Sequence, residues 1–242
     1  MAGRLEELEE FRRALDKYGH LVRIREFDPE TALVIEEAQL RIIEDIGRGL
    51  EDKGTGSLEE LLDSLVESGT LYRYVDMIAD AIGEKVEDPE GALRAVIRGE
   101  EGVPGFRSVF LALQAVARAY ALLLLKEGPV EEPSSKCPAC GIRSETMVKR
   151  GDDYHMVCHF CSYEWVASRG RMMCPYCGTT DPIAIGLYSD KKRRLGLAHC
   201  QECGSTWRCV LDETIKAPRQ LLPLIALGAE VYRRFLEDRP SL

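Results

Sequence analysis

The fold class that the sequence predicts is α plus small β. An N-terminal helical domain leads into two tandem four-cysteine metal modules made of short strands, and a C-terminal helix follows. Three observations predict it. Eight of the nine cysteines fall in four Cys-x-x-Cys pairs, Cys137/Cys140, Cys158/Cys161, Cys174/Cys177 and Cys200/Cys203. Apolar residues recur at helical spacing through the first 127 residues. Between the two regions, residues 128–135 (GPVEEPSS) have loop composition and no periodicity. The division expected is therefore a helical domain over 1–128, a linker over 129–135, a first module over 136–168, a second over 169–213 and a C-terminal helix over 214–242.

The helical part is read from its caps. Residues 4–18, rich in Leu, Glu and Arg, form a first helix. Asp28-Pro29-Glu30 starts another, because Asp can cap and Pro at the first helical position loses no needed donor; Ile35, Ala38, Ile42, Ile46 and Leu50 then mark one face. Ser57 and Glu60 make a capping box ahead of Leu58, Leu61, Leu62 and Leu65. Gly69 stops that helix, Tyr72 to Ile82 forms the next, and Asp88-Pro89-Glu90 opens a short one. After the Gly102–Gly105 break, Phe106, Val109, Phe110, Leu113, Ala117, Tyr120 and Leu124 follow the i, i+3, i+4, i+7 rule and read as bundle core. Gln114 and Arg118 interrupt the apolar run there, which argues for a buried helix over a membrane span.

The cysteine region is an internal duplication. The first unit runs CPACG (137–141) then CHFCSYEW (158–165), and the second CPYCG (174–178) then CQECGSTW (200–207). Each places a tryptophan, Trp165 or Trp207, four positions after its last cysteine. The 17 residues between Cys140 and Cys158, and the 22 between Cys177 and Cys200, each suit a hairpin that returns the second pair to the first. Gly151-Asp152-Asp153 and Ser189-Asp190 are the turn signals. A two-residue gap lets both thiolates of a pair face one ion, so two pairs complete a tetrahedral all-sulfur site. The repeat argues for pairing within units: Cys137, Cys140, Cys158 and Cys161 in one site; Cys174, Cys177, Cys200 and Cys203 in the other. Gly141 and Gly178 sit where a tight turn needs positive φ, with turn amides free to donate to sulfur. The two tryptophans are expected to cover the sites.

Two metals fit such a ligand set, zinc, which the spacing alone favours, and a single iron. Zinc in a closed four-sulfur site is structural, whereas iron can carry one electron. Disulfides are disfavoured, since the start of the chain has no secretory pattern and a reducing cytoplasm is expected. Cys209 alternates with Trp207 along a strand and is expected to pack inside. His155, His159 and His199 flank ligand cysteines as bystanders. Lys191-Lys192-Arg193-Arg194 resembles a nucleic-acid patch, but it has no stacking aromatics beside it and reads as solvated hairpin surface.

Charge also divides the chain. Residues 1–135 carry 16 Lys/Arg against 29 Asp/Glu, or -13, whereas residues 136–209 carry 11 against 7, or +4. Two four-thiolate sites with divalent ions would add -2 each and cancel that basicity. The absence of Asn and the presence of only four Gln lean towards a heat-loving source. There is no phosphate-binding glycine loop, nucleophile elbow or HExxH pair, so an enzyme is not expected.

The run CPACG, then VCHFCSYEW with Arg169 shortly after, then CPYCG and CQECG resembles the formate dehydrogenase accessory protein FdhE family. That resemblance implies a mostly helical N-terminal portion followed by two tandem rubredoxin-like modules, in which the eight paired cysteines are ligands and iron becomes as good a candidate as zinc. It also implies a cytoplasmic, chaperone-like maturation factor whose partner is the catalytic subunit of formate dehydrogenase or a related oxidoreductase. Against the family's pattern, the chain is expected to be shortened in its N-terminal part. A rubredoxin-like electron carrier acting on that client, and a nucleic-acid-binding zinc ribbon, are the alternatives.

Overall fold

The computed structural model describes residues 2–22, 27–50, 56–100, 102–126, 128, 130–192 and 194–234. The chain divides into two compact units, Met1–Arg12 with Asp28–Lys126 and Arg13–Phe27 with Glu127–Leu242. Residues 13–27 thus go with the cysteine-containing half, a membership the helical pattern of the N-terminal sequence does not reveal.

The first unit is helical. Its elements are the start of α1 (Ala2–Tyr18), α2 (Pro29–Leu50), α3 (Leu58–Glu67), α4 (Thr70–Ile82), α5 (Pro89–Ile97) and α6 (Phe106–Lys126). The capping box forms in full: Glu60 N–H donates to Ser57 Oγ at 3.1 Å and Ser57 N–H to Glu60 Oε2 at 2.9 Å. Asp88 caps α5 by accepting from Gly91 N–H at 2.9 Å. The core joins Ile42 and Ile46 of α2, Leu71, Val75 and Ile78 of α4, and Val109, Ala112, Val116 and Ala119 of α6.

On α6 the buried face keeps Val109 and Ala117 of the expected stripe and adds Ala112, Ala115, Val116 and Ala119. Phe106 and Phe110 stack on each other at 6.2 Å, and Phe110 stays 36% exposed. The alanines let α6 sit closely among its neighbours, so small residues, not large ones, mark the contact. Arg118 is buried and makes a paired contact with Glu36 at 2.8 and 2.9 Å, while Gln39 donates to Gln114 Oε1 at 2.8 Å and accepts from Arg118 at 2.6 Å. These are the two polar residues that interrupt the apolar run. Among the described residues α6 is the one helix long and apolar enough to cross a membrane; its buried, partnered arginine suits a core helix.

The second unit holds one six-stranded sheet. The strands are β1 (Thr146–Arg150), β2 (Asp153–Val157), β3 (Glu164–Arg169), β4 (Ile185–Ser189), β5 (Leu195–Cys200) and β6 (Thr206–Val210), in the spatial order β3-β2-β1-β6-β5-β4. Each module is an antiparallel three-stranded meander. The β1–β2 turn is Gly151-Asp152, with φ of 62° at Gly151, as a hairpin turned at glycine requires. What the duplication alone does not specify is how the copies join. β1 pairs in parallel with β6, Thr146 opposite Arg208 and Met147 opposite Cys209. The first strand of one module thus meets the last strand of the other, so the copies repeat head to tail across one sheet.

The segment ahead of the first module extends the same repeat. Val166 N–H donates to Val130 O at 3.1 Å and Glu132 N–H to Val166 O at 3.0 Å, with Glu131 bridging Val166 in parallel. Counted from the last cysteine of each module, Val166 and Arg208 are equivalent positions. Glu131 therefore lies against β3 as Thr146 lies against β6. Its Pro and Ser content fits a loop, but its backbone donors and acceptors are partly satisfied by a strand.

After β6 the described residues do not form the single long helix expected over 214–242. They make α7 (Leu222–Ala226) and a 3-10 segment over Leu227–Tyr232; Phe235 lies outside the described residues. Leu221, Leu222, Ile225, Ala226 and Ala229 are fully buried, and these elements pack on β5, β6 and β1. Tyr18 ties the end of α1 to the same region, its hydroxyl donating to Thr214 O at 2.9 Å and accepting from Lys216 N–H at 3.1 Å. At Gly228 the 3-10 segment passes so near residue 21 that a Cβ would collide with the Leu21 carbonyl oxygen and lie 2.8 Å from Leu195 Cδ1.

Gly228→Ala should therefore destabilise the second unit by roughly 1–3 kcal/mol, as overpacking against backbone does. Gly186→Ala, whose Cβ would meet nothing closer than His199 O at 3.8 Å, should cost less. Urea unfolding followed by tryptophan fluorescence checks this, because both tryptophans, Trp165 and Trp207, lie in the sheet. Equal midpoints for the two variants would contradict the close passage.

Candidate metal centres

The eight paired cysteines sit on four copies of one backbone device. In each, the amide of the first cysteine donates to the carbonyl five residues on: Cys137 to Ile142, Cys158 to Tyr163, Cys174 to Thr179 and Cys200 to Ser205, all at 2.9 Å. The amide four residues on returns a bond to that cysteine's carbonyl, from Gly141 at 2.8 Å, Ser162 at 3.0 Å, Gly178 at 2.9 Å and Gly204 at 2.9 Å. The returning residue must take left-handed backbone, with φ of 72° at Gly141, 79° at Gly178 and 72° at Gly204. Gly141 and Gly178 thus do what the sequence assigned to them. The second turn of the first module uses Ser162 instead, at φ 58°, the one non-glycine with positive φ among the described residues. Ser162 occupies the place of Gly204 in the repeat, which is the signal that could have found it.

The turns aim amides back at sulfur. Phe160 N–H donates to Cys158 Sγ at 3.4 Å. The amides of Tyr176 and Cys177 point to the Cys174 sulfur, and those of Glu202 and Cys203 to the Cys200 sulfur. Such donors stabilise negative charge on the sulfur that receives them.

The sheet brings these turns together in pairs. Cys137, Cys140, Cys158 and Cys161 form one cluster and Cys174, Cys177, Cys200 and Cys203 the other, with the sulfurs of each mutually within 4.8 Å. Across the turns, Cys137–Cys161 is 3.4 Å, and Cys140–Cys158, Cys174–Cys203 and Cys177–Cys200 are each 3.6 Å. A tetrahedron with metal–sulfur bonds near 2.3 Å has an edge of about 3.8 Å, whereas bonded sulfurs lie ~2.05 Å apart. The quartets thus have the spacing and donor chemistry of four-sulfur metal sites and are far from disulfide geometry. The clusters contain no cysteine from the opposite module.

Thiol electrostatics point the same way. Hydrogen bonds from Cys137, Cys140 and Cys161 hold Cys158 well below the usual thiol range. Its neighbours' claims on the same protons push Cys161 upward, and Cys137 rises with it. In the second quartet burial pushes Cys174 up to about 12. Burial also acts to raise Cys203, but bonds from the Ser205 hydroxyl and amide, and from Cys174 and Cys200, bring it down to about 6. Four thiols this close cannot all be anionic unless a cation is shared among them.

The other predicted residues take definite places. Trp165 and Trp207 are fully buried within the sheet core. Trp165 Nε1–H donates to Ser134 O at 3.2 Å, whereas the buried Trp207 N–H has the Cys209 thiol beside it. Cys209 is buried, which pushes its thiol up to about 12, as suits a packed residue and not a nucleophile. His155 Nδ1 lies 3.0 Å from Glu164 Oε1, and His199 pairs along β5 with Gly186 and Thr206. Arg169 reaches Glu131 at 3.1 Å and Asp153 at 3.3 Å. Arg194 is bound to Asp190, by its amide at 2.9 Å and its Nε at 3.2 Å, which takes it out of the basic run; Arg193 lies outside the described residues.

Glu164, between the last cysteine and Trp165, was not foreseen as special. It gathers Arg150 at 3.1 Å, His155 at 3.0 Å and Arg219 at 3.4 Å. Burial acts to raise its carboxyl, but the bonds and charges of His155 and Arg150 outweigh that and lower it to about 2.

The arrangement defines a class: a helical unit joined to a tandem module with two four-sulfur clusters, each of which could hold a metal ion. Within that class, the chain is similar to the solved structure of the FdhE protein from Pseudomonas aeruginosa, with a TM-score of 0.63 and 17% identity over 97% of this chain and 93% of that one. The fold is FdhE-like. No protein-family model matches the chain, and no curated protein matches it.

Ser162→Gly should raise stability by about 1 kcal/mol, because glycine takes left-handed backbone without the cost a Cβ incurs. Gly204→Ser, the reverse change at the equivalent turn, should lower stability by a similar amount. Chemical denaturation of the two variants checks both signs, and a destabilised Ser162→Gly would contradict the equivalence of the four turns.

Proposed function

We propose that this chain is an accessory factor that binds the catalytic subunit of formate dehydrogenase, or of a related oxidoreductase, while that enzyme is assembled in the cytoplasm. The observation that carries this reading is the FdhE-like fold along 97% of the chain, with both sulfur quartets in it. In this reading Cys137, Cys140, Cys158 and Cys161 hold one ion and Cys174, Cys177, Cys200 and Cys203 a second, each iron or zinc. The ion supplies a fixed charge and a cross-link in either case, and one-electron chemistry when it is iron. The chain's own contribution is to hold four turns at the spacing that two ions need. It acts by binding and not by catalysis, and the proposed working parts are the helical domain, the two modules and the C-terminal segment.

A rubredoxin-like electron carrier is the second reading, favoured by the exposure of Cys177 and Cys203 at one edge of the second quartet. It requires iron. The nucleic-acid reading loses support, because Arg194 is committed to Asp190.

Co-expression with the formate dehydrogenase catalytic subunit of the same genome tests the leading reading. The two chains should co-elute on size-exclusion chromatography after affinity capture of either one. Capture that fails with this subunit and with every related oxidoreductase subunit of that genome would contradict the proposal.

A further inference from the structure

The repeat allows the two quartets to be compared position by position, and they differ in one respect. The first cysteine of each pair is buried in both modules: Cys137 at 3% exposure and Cys158 at 0%, Cys174 at 0% and Cys200 at 0%. The second cysteines are not alike. Cys161 is 1% exposed and Cys140 half-buried, whereas their equivalents Cys203 and Cys177 are both exposed.

The residues beside the last turn differ as well. In the first module Tyr163 follows the turn, fully buried and stacked on Trp165 at 6.4 Å. Trp165 is fixed to Ser134 in the segment before the module, and Glu164 to Arg150, His155 and Arg219. In the second module the same positions hold Ser205 and Thr206, both half-buried. In the first module a buried phenol lies near enough to Cys137 and Cys161 for their charges to act on it, and a hydroxymethyl group stands at the corresponding place in the second.

We propose that the second quartet is an exchangeable metal site, open to soft-donor acceptors such as thiols and chelators, while the first retains its ion as a fixed part of the fold. The proposal rests on the reading that both quartets bind metal. For an ion to pass to an acceptor, a donor atom of that acceptor must approach between two sulfurs. Cys177 and Cys203 meet this condition on the surface. In the first quartet only Cys140 is partly open, and Cys161 is shut in. No electrons move in this exchange: four metal–sulfur bonds are replaced by bonds to the acceptor's donor atoms, and water supplies any protons that the freed sulfurs take up.

The test uses the full chain loaded anaerobically with zinc and challenged with the chromogenic chelator 4-(2-pyridylazo)resorcinol. Release should be biphasic, with one equivalent leaving roughly tenfold or more faster than the other, a difference in barrier of ~1.4 kcal/mol or more. Cys177→Ser should remove the fast equivalent and keep the slow one, and Tyr163→Ser should accelerate the slow one. Because a cysteine variant can misfold, brief iodoacetamide treatment of the unaltered loaded chain gives an independent reading: Cys177 and Cys203 should be alkylated before Cys137, Cys158 and Cys161. Release of both equivalents in one phase, or alkylation of the first quartet ahead of the second, would overturn the inequality. Failure to load two ions would instead defeat the metal reading on which it rests.

Discussion

The pairing of β1 with β6 is the constraint on which the second half of the molecule depends. Three residue pairs, Thr146–Arg208, Met147–Cys209 and Val148–Val210, join two meanders that would otherwise be separate three-stranded sheets. The join is parallel because the first and last strands of a meander run the same way. It is reinforced at the edge, where Arg208 donates its amide to Glu145 O at 2.7 Å and its guanidinium reaches Glu145 and Glu230. A six-stranded sheet packed against a helical segment is far more stable than an isolated hairpin. The join also supplies one continuous surface on which α7 and the 3-10 segment bury Leu221, Leu222 and Ile225.

From that constraint the sulfur geometry follows. Each meander carries one cysteine turn before its first strand and another between its second and third, at the same end of the sheet. Four identical turns then place eight sulfurs in two groups without any cysteine crossing between modules. The first module differs in that the segment over 130–132 occupies, against β3, the place that β1 occupies against β6. The head-to-tail repeat leaves the two modules alike in backbone and unlike in surroundings, and that is where a difference in chemistry can arise.

Much of this was legible in the residues. The capping box of Ser57 and Glu60, the Asp88 cap and the glycine hairpin at Gly151 are local devices, and local devices show in local sequence. The grouping of the cysteines was legible because the duplication is visible as CPxCG and a tryptophan at fixed distance. What could not be read is nonlocal. Nothing in Thr146–Val148 announces a parallel partner sixty residues away, since the hydrogen bonds are made by backbone and leave no side-chain signature. On α6 the expected stripe includes Val109 and Ala117, which are buried, but it also includes Phe110, which stays partly exposed, and omits Ala112 and Ala119, which close helix approach buries. The C-terminal helix was overestimated because apolar periodicity persists through a 3-10 segment, and the steric demand at Gly228 comes from Leu21, far away in sequence. Ser162 hid its left-handed backbone behind an ordinary side chain.

The central claim, that the eight sulfurs form two separate four-ligand metal sites, is tested most directly by the metal content of protein purified without oxygen. Elemental analysis together with native mass spectrometry should find two iron or zinc ions per chain, falling to one when Cys137 and Cys140 are both replaced by serine and to one when Cys174 and Cys177 are. A chain that carries no such ion, or that loses both ions when either pair is replaced and the fold is retained, would contradict it.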